Sequence, residues 1–123
     1  MAHILLIEDD NQARKAIRKM LEKIDNKVTE AQNGKLGIQL YKNNSFDLVI
    51  TDIVMPEKEG IEVIFELRQI NPAAKIIAIS GGGSLGTLEY LDMAKKLGAK
   101  DSISKPIRFE ELISTVETVL KGD

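Results

Sequence analysis

The stretch Asp47–Gly60, DLVITDIVMPEKEG, decides the fold of this chain. Its first part is an apolar, β-branched run ending at Thr51, which is typical of a buried strand. Asp52 follows, and Pro56 cannot continue a strand ladder because it lacks an N–H. The pattern therefore predicts a carboxylate at the C-terminal end of a buried strand, the edge at which open α/β sheets bind ligands. Taken alone, Asp52 is more simply interpreted as a solvated turn residue or a helix cap.

Composition favours one globular domain spanning residues 1–123, with 43% hydrophobic and 29% charged residues. The net charge of −2 and the 4% aromatic content argue against direct nucleic acid binding. The absence of cysteine excludes disulfides, thiol catalysis and cysteine-based zinc sites. There is no signal-peptide pattern, and no apolar run approaches the roughly 20 residues that cross a bilayer. We expect a cytoplasmic protein with no membrane insertion.

Around the central strand, short apolar runs alternate with helical periodicity. The predicted strands cover residues 3–7, 27–31, 47–51, 75–80 and 100–104. The predicted helices cover residues 11–24, the region around Leu36 to Tyr41, residues 60–70, a segment between a Ser84 cap and Gly98, and residues from about 109 to 120. Strands alternating with helices predict an α/β fold, a single doubly wound five-stranded parallel sheet in the order 2-1-3-4-5. The polar second strand, KVTEA, is expected at an edge.

This topology brings polar side chains from four strand ends to one edge of the sheet. They are Glu8, Asp9, Asp52, Ser80 and Lys105. Two carboxylates about 4 Å apart repel by about 4 kcal/mol at an effective dielectric near 20. Such a cluster takes up protons or binds a cation, and hard oxygen ligands favour Mg²⁺, with Mn²⁺ as a substitute.

The same edge has groups suited to a phosphoryl group. Lys105 supplies a positive charge, and Ser80 supplies a hydroxyl donor. The loop Gly81–Gly83 supplies backbone N–H groups that can approach an anion. These groups, with a carboxylate as acceptor, are what phosphoryl transfer requires. The GGGSLGT segment lacks the Gly-Lys-Ser/Thr ending of a nucleotide-binding P-loop.

With these residues in register, the chain resembles a response-regulator receiver domain, the CheY-like family of two-component signalling with a flavodoxin-like (βα)5 fold. The resemblance covers about residues 2–120. It rests on Glu8-Asp9, on Asp52 with Met55-Pro56 and Gly60 behind it, on Ser80, and on Lys105-Pro106.

The resemblance implies a role for each residue at this edge. Asp52 would be the phosphoacceptor, Ser80 would hydrogen-bond the phosphoryl group, and Lys105 would pair with it. Asp9, Asp52 and the main-chain carbonyl of Val54 would bind Mg²⁺ directly, and Glu8 would reach it through water. The Lys105–Pro106 peptide bond would be cis.

The resemblance also implies partners. A sensor histidine kinase or a histidine phosphotransfer protein would donate the phosphoryl group, docking on the first helix, whose basic residues could otherwise be only a solvated face. Phosphorylation would switch contacts with an unidentified downstream protein. Such a chain is a signalling receiver rather than an enzyme, although it assists its own Mg²⁺-dependent phosphorylation and hydrolyses its own acyl phosphate.

Two departures from the family pattern affect these expectations. Ser102 occupies the position where many receivers have an aromatic residue, so the aromatic rotamer switch cannot form. Val54 and Gly82, at positions that tune hydrolysis in the family, have side chains that cannot position water. We therefore predict slow self-dephosphorylation.

Several simpler interpretations remain open. The chain could be a degenerate receiver that binds partners without phosphate, although it retains all five site residues. A haloacid-dehalogenase-type phosphohydrolase would have a second Asp two residues after the nucleophile, where this chain has Val54. His3 is expected to be partly exposed rather than functional, and Asp10 to cap the first helix.

Overall fold

The computed structural model describes residues 2–53, 60–81 and 87–122. The predicted turn at Met55-Pro56, the cap at Ser84 and the carbonyl of Val54 lie outside these residues. The strands are β1 His3–Ile7, β2 Lys27–Ala31, β3 Leu48–Asp52, β4 Ile76–Gly81 and β5 Asp101–Lys105. The helices are α1 Asn11–Glu22, α2 Gly34–Asn43, α3 Gly60–Ile70, α4 Thr87–Leu97 and α5 Phe109–Lys121.

The five strands form one sheet in the order β2-β1-β3-β4-β5, and every neighbouring pair is parallel. The predicted fold class and strand order are therefore confirmed, with polar β2 at an edge. In the register, Ile7 lies opposite Thr51, and Asp52 lies opposite Ile79. This alignment brings the carboxyl ends of β1, β3, β4 and β5 to one edge.

Alternating side chains divide the core into two layers. On β1, Ile4 and Leu6 pack with Ile17 of α1 and Val116 of α5 on one side of the sheet. The other side packs against α2, α3 and α4, with a buried core of Leu5, Ile7, Ile38, Val49, Val63, Ile64, Leu67 and Ala94. All four residues from Ile4 to Ile7 are fully buried, because an interior strand has both faces covered.

Some element boundaries differ from the prediction by one or two residues. The apolar periodicity of α1 continues to Ile24, but the helix ends at Glu22. The N–H of Ile24 donates to the carbonyl of Leu21 (3.3 Å), which tightens the last turn, and Asp25 then has a left-handed φ of 63°. Strand β3 begins at Leu48 and includes Asp52, one residue later than predicted.

In the described part of the chain, we find no helix with both the length and the apolarity that a bilayer crossing needs.

Candidate functional site

The sequence-predicted site residues lie at the carboxyl edge of the sheet. Glu8 directly follows β1 and is fully buried, and Asp9 beside it is exposed. Asp52 is the last residue of β3, and its relative exposure is only 4%. Ser80 is buried near the end of β4, one residue beyond the partner of Asp52 in the register. Lys105 ends β5 and is half-buried.

Lys105 connects the first and third strands electrostatically. Its Nζ lies 2.6 Å from Oε1 of Glu8 and donates a hydrogen bond to Oδ2 of Asp52 at 3.0 Å. The peptide bond between Lys105 and Pro106 is cis, as the resemblance implies. The lysine from the far edge strand therefore reaches across β4 to both carboxylates.

The acidic residues converge closely enough to share one cation. One carboxylate oxygen from each of Glu8, Asp9 and Asp52 lies within 4.8 Å of the other two. Three carboxylates against the single ammonium of Lys105 give this group a formal charge of −2. A divalent cation held by oxygen ligands matches both that charge and the donor set, so the residues fit Mg²⁺ or Mn²⁺.

Burial changes the acidity of Glu8. Desolvation raises the pKa of this carboxyl to about 7, and the negative charge of Asp52 acts in the same direction. Lys105 and a hydrogen bond from the N–H of Asp10 (3.1 Å) oppose the shift without cancelling it. Glu8 therefore exchanges its proton near neutral pH, and a cation bound here would compete with that proton.

The pKa of Lys105 is also raised, but for a different reason. Burial alone would lower the pKa of its ammonium, but contacts with Glu8 and Asp52 outweigh burial and raise it. Lys105 consequently stays cationic at neutral pH. A fixed positive charge beside Asp52 is suited to an incoming anion.

Backbone packing holds Asp52 in place. The N–H of Ile53 donates to the carbonyl of Ile79 (2.9 Å), and the hydroxyl of Thr51 donates to the carbonyl of Asp52 (3.0 Å). The start of helix α3 lies directly against the end of β3, because a Cβ added to Gly60 would lie 2.2 Å from the Asp52 carbonyl oxygen. Only glycine fits at that position, which explains why this residue follows the DLVITD strand.

Asp10 has the predicted capping role. Its side chain accepts a hydrogen bond from the N–H of Gln12 (3.0 Å) at the start of α1. His3 is partly buried, as expected, and its Nε2 lies 2.8 Å from the hydroxyl of Thr29. The side chains of both residues thus have structural partners outside the acidic cluster.

The basic residues of α1 fall into two groups that the sequence does not distinguish. Lys15 and Lys19 are exposed. Arg14 and Arg18 instead form ion pairs with Glu30 of β2. Sequence spacing along α1 gave no signal for this contact, because Glu30 is distant in the chain.

An apolar crevice lies between α1 and the segment after β5. It has a volume of about 150 Å³ and is lined by Ala13, Ala16, Ile17, Met20, Lys105, Pro106 and Ile107. Lys105 thus contributes to both this crevice and the acidic site. The exposed surface of α1 is therefore continuous with the site edge.

Ser102 lies in β5, opposite Ala78 of β4 and three residues before Lys105. Its N–H donates to the side chain of Asp101 (2.8 Å). The position where the family has an aromatic side chain is thus occupied by a small polar one. Val54 and Gly82, on which the prediction of slow hydrolysis rests, lie outside the described residues.

Comparison with known proteins gives a consistent result. The family profile of the response regulator receiver domain matches residues 4–117. The chain is 38% identical over 122 residues to the chemotaxis protein CheY of Bacillus subtilis, covering 98% of this chain and 99% of the relative. It is 35% identical over 120 residues to the response regulator receiver protein CpdR of Brucella abortus, covering 98% of each.

A solved structure has the same architecture. The crystal structure of a response regulator receiver domain protein from Clostridium thermocellum has a TM-score of 0.91 and 29% sequence identity. The alignment covers 98% of this chain and 95% of that chain.

Proposed function

This chain belongs to the response regulator receiver domain family, and from that premise we propose that residues 1–123 form one receiver domain that accepts a phosphoryl group on Asp52 in a two-component phosphorelay. The observation that carries the proposal is the position of Lys105 Nζ, 3.0 Å from Asp52 and 2.6 Å from Glu8. A buried carboxylate, a second acid and a fixed cation therefore lie together at one sheet edge, which supports Asp52 as the nucleophile.

The proposed reaction is a phosphoryl transfer from a phosphohistidine. A carboxylate oxygen of Asp52 forms a bond to phosphorus as the P–N bond breaks. The electron pair of that bond goes to the departing imidazole, which takes up a proton from solvent. The products are an acyl phosphate on Asp52 and a neutral histidine on the donor.

The charges around Asp52 support this assignment. Lys105 supplies the ammonium that pairs with the added negative charge of the phosphoryl group. Glu8, Asp9 and Asp52, with the Val54 carbonyl that the family pattern adds, would hold Mg²⁺. When bound, Mg²⁺ neutralises charge on the transferring oxygens. Buried Ser80 supplies a hydroxyl for a phosphoryl oxygen.

The phosphodonor is proposed to be a sensor histidine kinase or a histidine phosphotransfer protein that docks on the exposed surface of α1. The apolar crevice between α1 and Pro106 adjoins Lys105, so a helix seated there would bring a histidine close to the site. Exposed Lys15 and Lys19 would pair with acidic residues of that partner.

Later hydrolysis of the acyl phosphate is proposed to be slow. Water would attack phosphorus, the acyl-phosphate bond would break, and the Asp52 carboxylate and inorganic phosphate would be restored. Val54 and Gly82 have no polar side-chain group that could orient this water. Phosphorylation would switch contacts with a downstream protein, by a route that does not use an aromatic side chain at Ser102.

The test is loading with a small phosphodonor such as acetyl phosphate in Mg²⁺, followed by intact mass measurement. We expect one phosphoryl group per chain, its loss when EDTA replaces Mg²⁺, and no incorporation into Asp52→Asn. After removal of the donor, we expect the phosphorylated form to persist for minutes or longer.

Equal incorporation into the Asp52→Asn variant would contradict the site assignment. A phosphoryl half-life of seconds would contradict only the slow hydrolysis. If the wild-type chain takes up no phosphoryl group and does not bind beryllofluoride with Mg²⁺, the chain acts as a phosphate-independent binding module instead.

A further inference from the structure

Arg14 makes contacts with three separate parts of the chain. Its Nη1 donates a hydrogen bond to the main-chain carbonyl of Glu8 (2.8 Å), and its Nε donates to Oε1 of Glu30 on β2 (2.9 Å). Its Nη2 donates to the side chain of Asn11 at the start of α1. The side chain is only 12% exposed. Arg14 therefore joins the end of β1 to β2 and to the first turn of α1.

The Glu8 carbonyl that Arg14 contacts lies just beyond the end of strand β1. The N–H of Glu8 still donates to Ala31 of the neighbouring strand (3.0 Å), whereas the β1 ladder ends at Ile7. The Glu8 carbonyl and the Asp9 N–H belong to one planar peptide unit. This plane joins the Cα atoms of Glu8 and Asp9, so holding it in place orients both side chains.

We propose that Arg14 is a positioning residue for the metal site, holding the Glu8–Asp9 peptide plane so that both carboxylates converge on Asp52. This inference rests on the proposed function, because it concerns the same Mg²⁺ site. The carboxylates do converge, with one oxygen of each residue within 4.8 Å of the others. Arg14 acts through the Glu8 backbone, and its described hydrogen bonds do not include the three clustered carboxylates.

Glu30 keeps the guanidinium of Arg14 in place. Burial alone would raise the pKa of Glu30, but hydrogen bonds from Arg18 and Arg14 outweigh it and lower the pKa. Glu30 therefore stays charged at neutral pH and binds both arginines. Arg18 in turn pairs with Glu22 one turn further along α1 (3.0 Å). The result is a charged network that ends on the backbone of a proposed metal ligand.

The planar guanidinium is essential to this arrangement. Its donors lie in a fixed fork and can bind a carbonyl, a carboxylate and an amide oxygen at once. A lysine at this position would keep the charge, but its single ammonium cannot reach three acceptors in those directions. Arg14→Lys therefore keeps the positive charge but removes the hydrogen-bond geometry of the guanidinium.

Arg18 supplies a matched control. It also lies on α1 and also pairs with Glu30, but the described contacts of its side chain do not include Glu8. Arg18→Lys should perturb the network without releasing the Glu8 peptide. Glu30→Gln gives a third variant, in which Arg14 is intact but its anchor is weakened.

The experiment measures Mg²⁺ affinity by calorimetry and the Asp9 amide resonance by NMR, using the full chain. We expect Arg14→Lys to weaken Mg²⁺ binding by about 10-fold, the scale of lost outer-shell support. Arg18→Lys should retain wild-type affinity, and Glu30→Gln should lie between them. In metal-free protein, the Asp9 amide should shift in Arg14→Lys and not in Arg18→Lys, because the adjoining carbonyl loses its donor.

Wild-type affinity in Arg14→Lys would contradict the inference. Equal weakening in both arginine variants would also contradict it, because the effect would then come from charge or general stability. If Arg14→Lys does not fold, Glu30→Gln with wild-type affinity and an unshifted Asp9 amide would overturn the proposal. Failure of the wild-type chain to bind Mg²⁺ would instead contradict the proposed function.

Discussion

Charged side chains have different kinds of partner at the two ends of the sheet. At the amino end, Asp47 accepts a hydrogen bond from the N–H of His3 (2.8 Å), and its own N–H donates to the His3 carbonyl (2.8 Å). Lys75 donates to the carbonyl of Leu120 near the end of α5 (2.8 Å). Asp47 and Lys75 each bond to the backbone of a distant part of the chain and tie it to the start of a strand.

At the carboxyl end, the carboxylates of Glu8 and Asp52 share Lys105, and that of Asp9 lies close to both. Glu8 is fully buried, and desolvation raises its pKa to about 7, whereas Lys105 lies between it and Asp52. The single charge of Lys105 cancels only part of the repulsion between the carboxylates. The comparison teaches that charged groups at the amino end stabilise the fold, whereas those at the carboxyl end leave an excess of negative charge, which fits the proposed cation and phosphoryl site. Removing a carboxylate charge should therefore stabilise the fold at the carboxyl end (Glu8) and destabilise it at the amino end (Asp47).

The largest effect is expected where the carboxyl end has no spare space. In Gly60→Ala, the new Cβ would lie 2.2 Å from the Asp52 carbonyl oxygen and 2.3 Å from the Ile53 Cα, both of them backbone atoms. Because backbone cannot yield cheaply, we expect the free energy of unfolding to fall by about 3 kcal/mol, measured by urea denaturation.

Gly37→Ala is the matched control, because Gly37 also lies in a helix. Its new Cβ would meet the Cδ1 and Cγ1 of Ile7 at 2.4 and 2.7 Å, which are side-chain atoms rather than backbone. We expect a smaller loss and retained Mg²⁺ binding. Equal losses in the two variants would show that Gly60 is no more tightly confined than Gly37.

The second prediction concerns the buried acid itself. The folded-state pKa of Glu8, about 7, is above its usual value of 4.5, so the folded chain binds this proton more tightly. The associated stability is present below pH 4.5 and is lost as pH rises through 7. Compared with the wild type in EDTA, Glu8→Gln should therefore gain about 2 kcal/mol between pH 5 and pH 8.

Chemical denaturation of both proteins across that pH range is the measurement. Mg²⁺ should then stabilise the wild type at pH 8 more than it stabilises Glu8→Gln, because the variant has lost one carboxylate. Parallel stability profiles for the two proteins would mean that Glu8 does not carry this titration.

The smallest effect is expected at the amino end. Asp47→Ala removes the acceptor of the His3 N–H, an exposed hydrogen bond that water can partly replace. The free energy of unfolding should fall by about 1 kcal/mol, with no change in Mg²⁺ affinity. Asp47→Asn retains an acceptor oxygen and should restore most of the loss. If Asp47→Ala were more stable than the wild type, charged groups would destabilise both ends of the sheet and the proposed contrast would be wrong.

Much of this architecture could be predicted from the sequence, because strand ends follow from local patterns. The β-branched run before Asp52 and the apolar run before Glu8 indicated two interior strands, and the parallel topology then placed their ends together. The α1 boundary was less accurate, because apolar spacing continues to Ile24 and only the left-handed Asp25 reveals the stop.

Long-range contacts could not be predicted in the same way. The types of the site residues are visible in the sequence, but the full burial of Glu8 and its raised pKa depend on how the helices cover β1. Arg14 resembled an exposed basic residue of an amphipathic helix. Its contacts with Glu30 and the Glu8 carbonyl arise only when β2 packs beside β1.

The most direct test of the central claim is to locate the phosphoryl group. After loading with acetyl phosphate and Mg²⁺, borohydride reduction converts a phosphorylated aspartate to homoserine, which peptide mass spectrometry can assign to a position. The account predicts homoserine at position 52 and at no other aspartate. Homoserine at position 9, or a phosphoryl group on His3 with Asp52 unmodified, would contradict it.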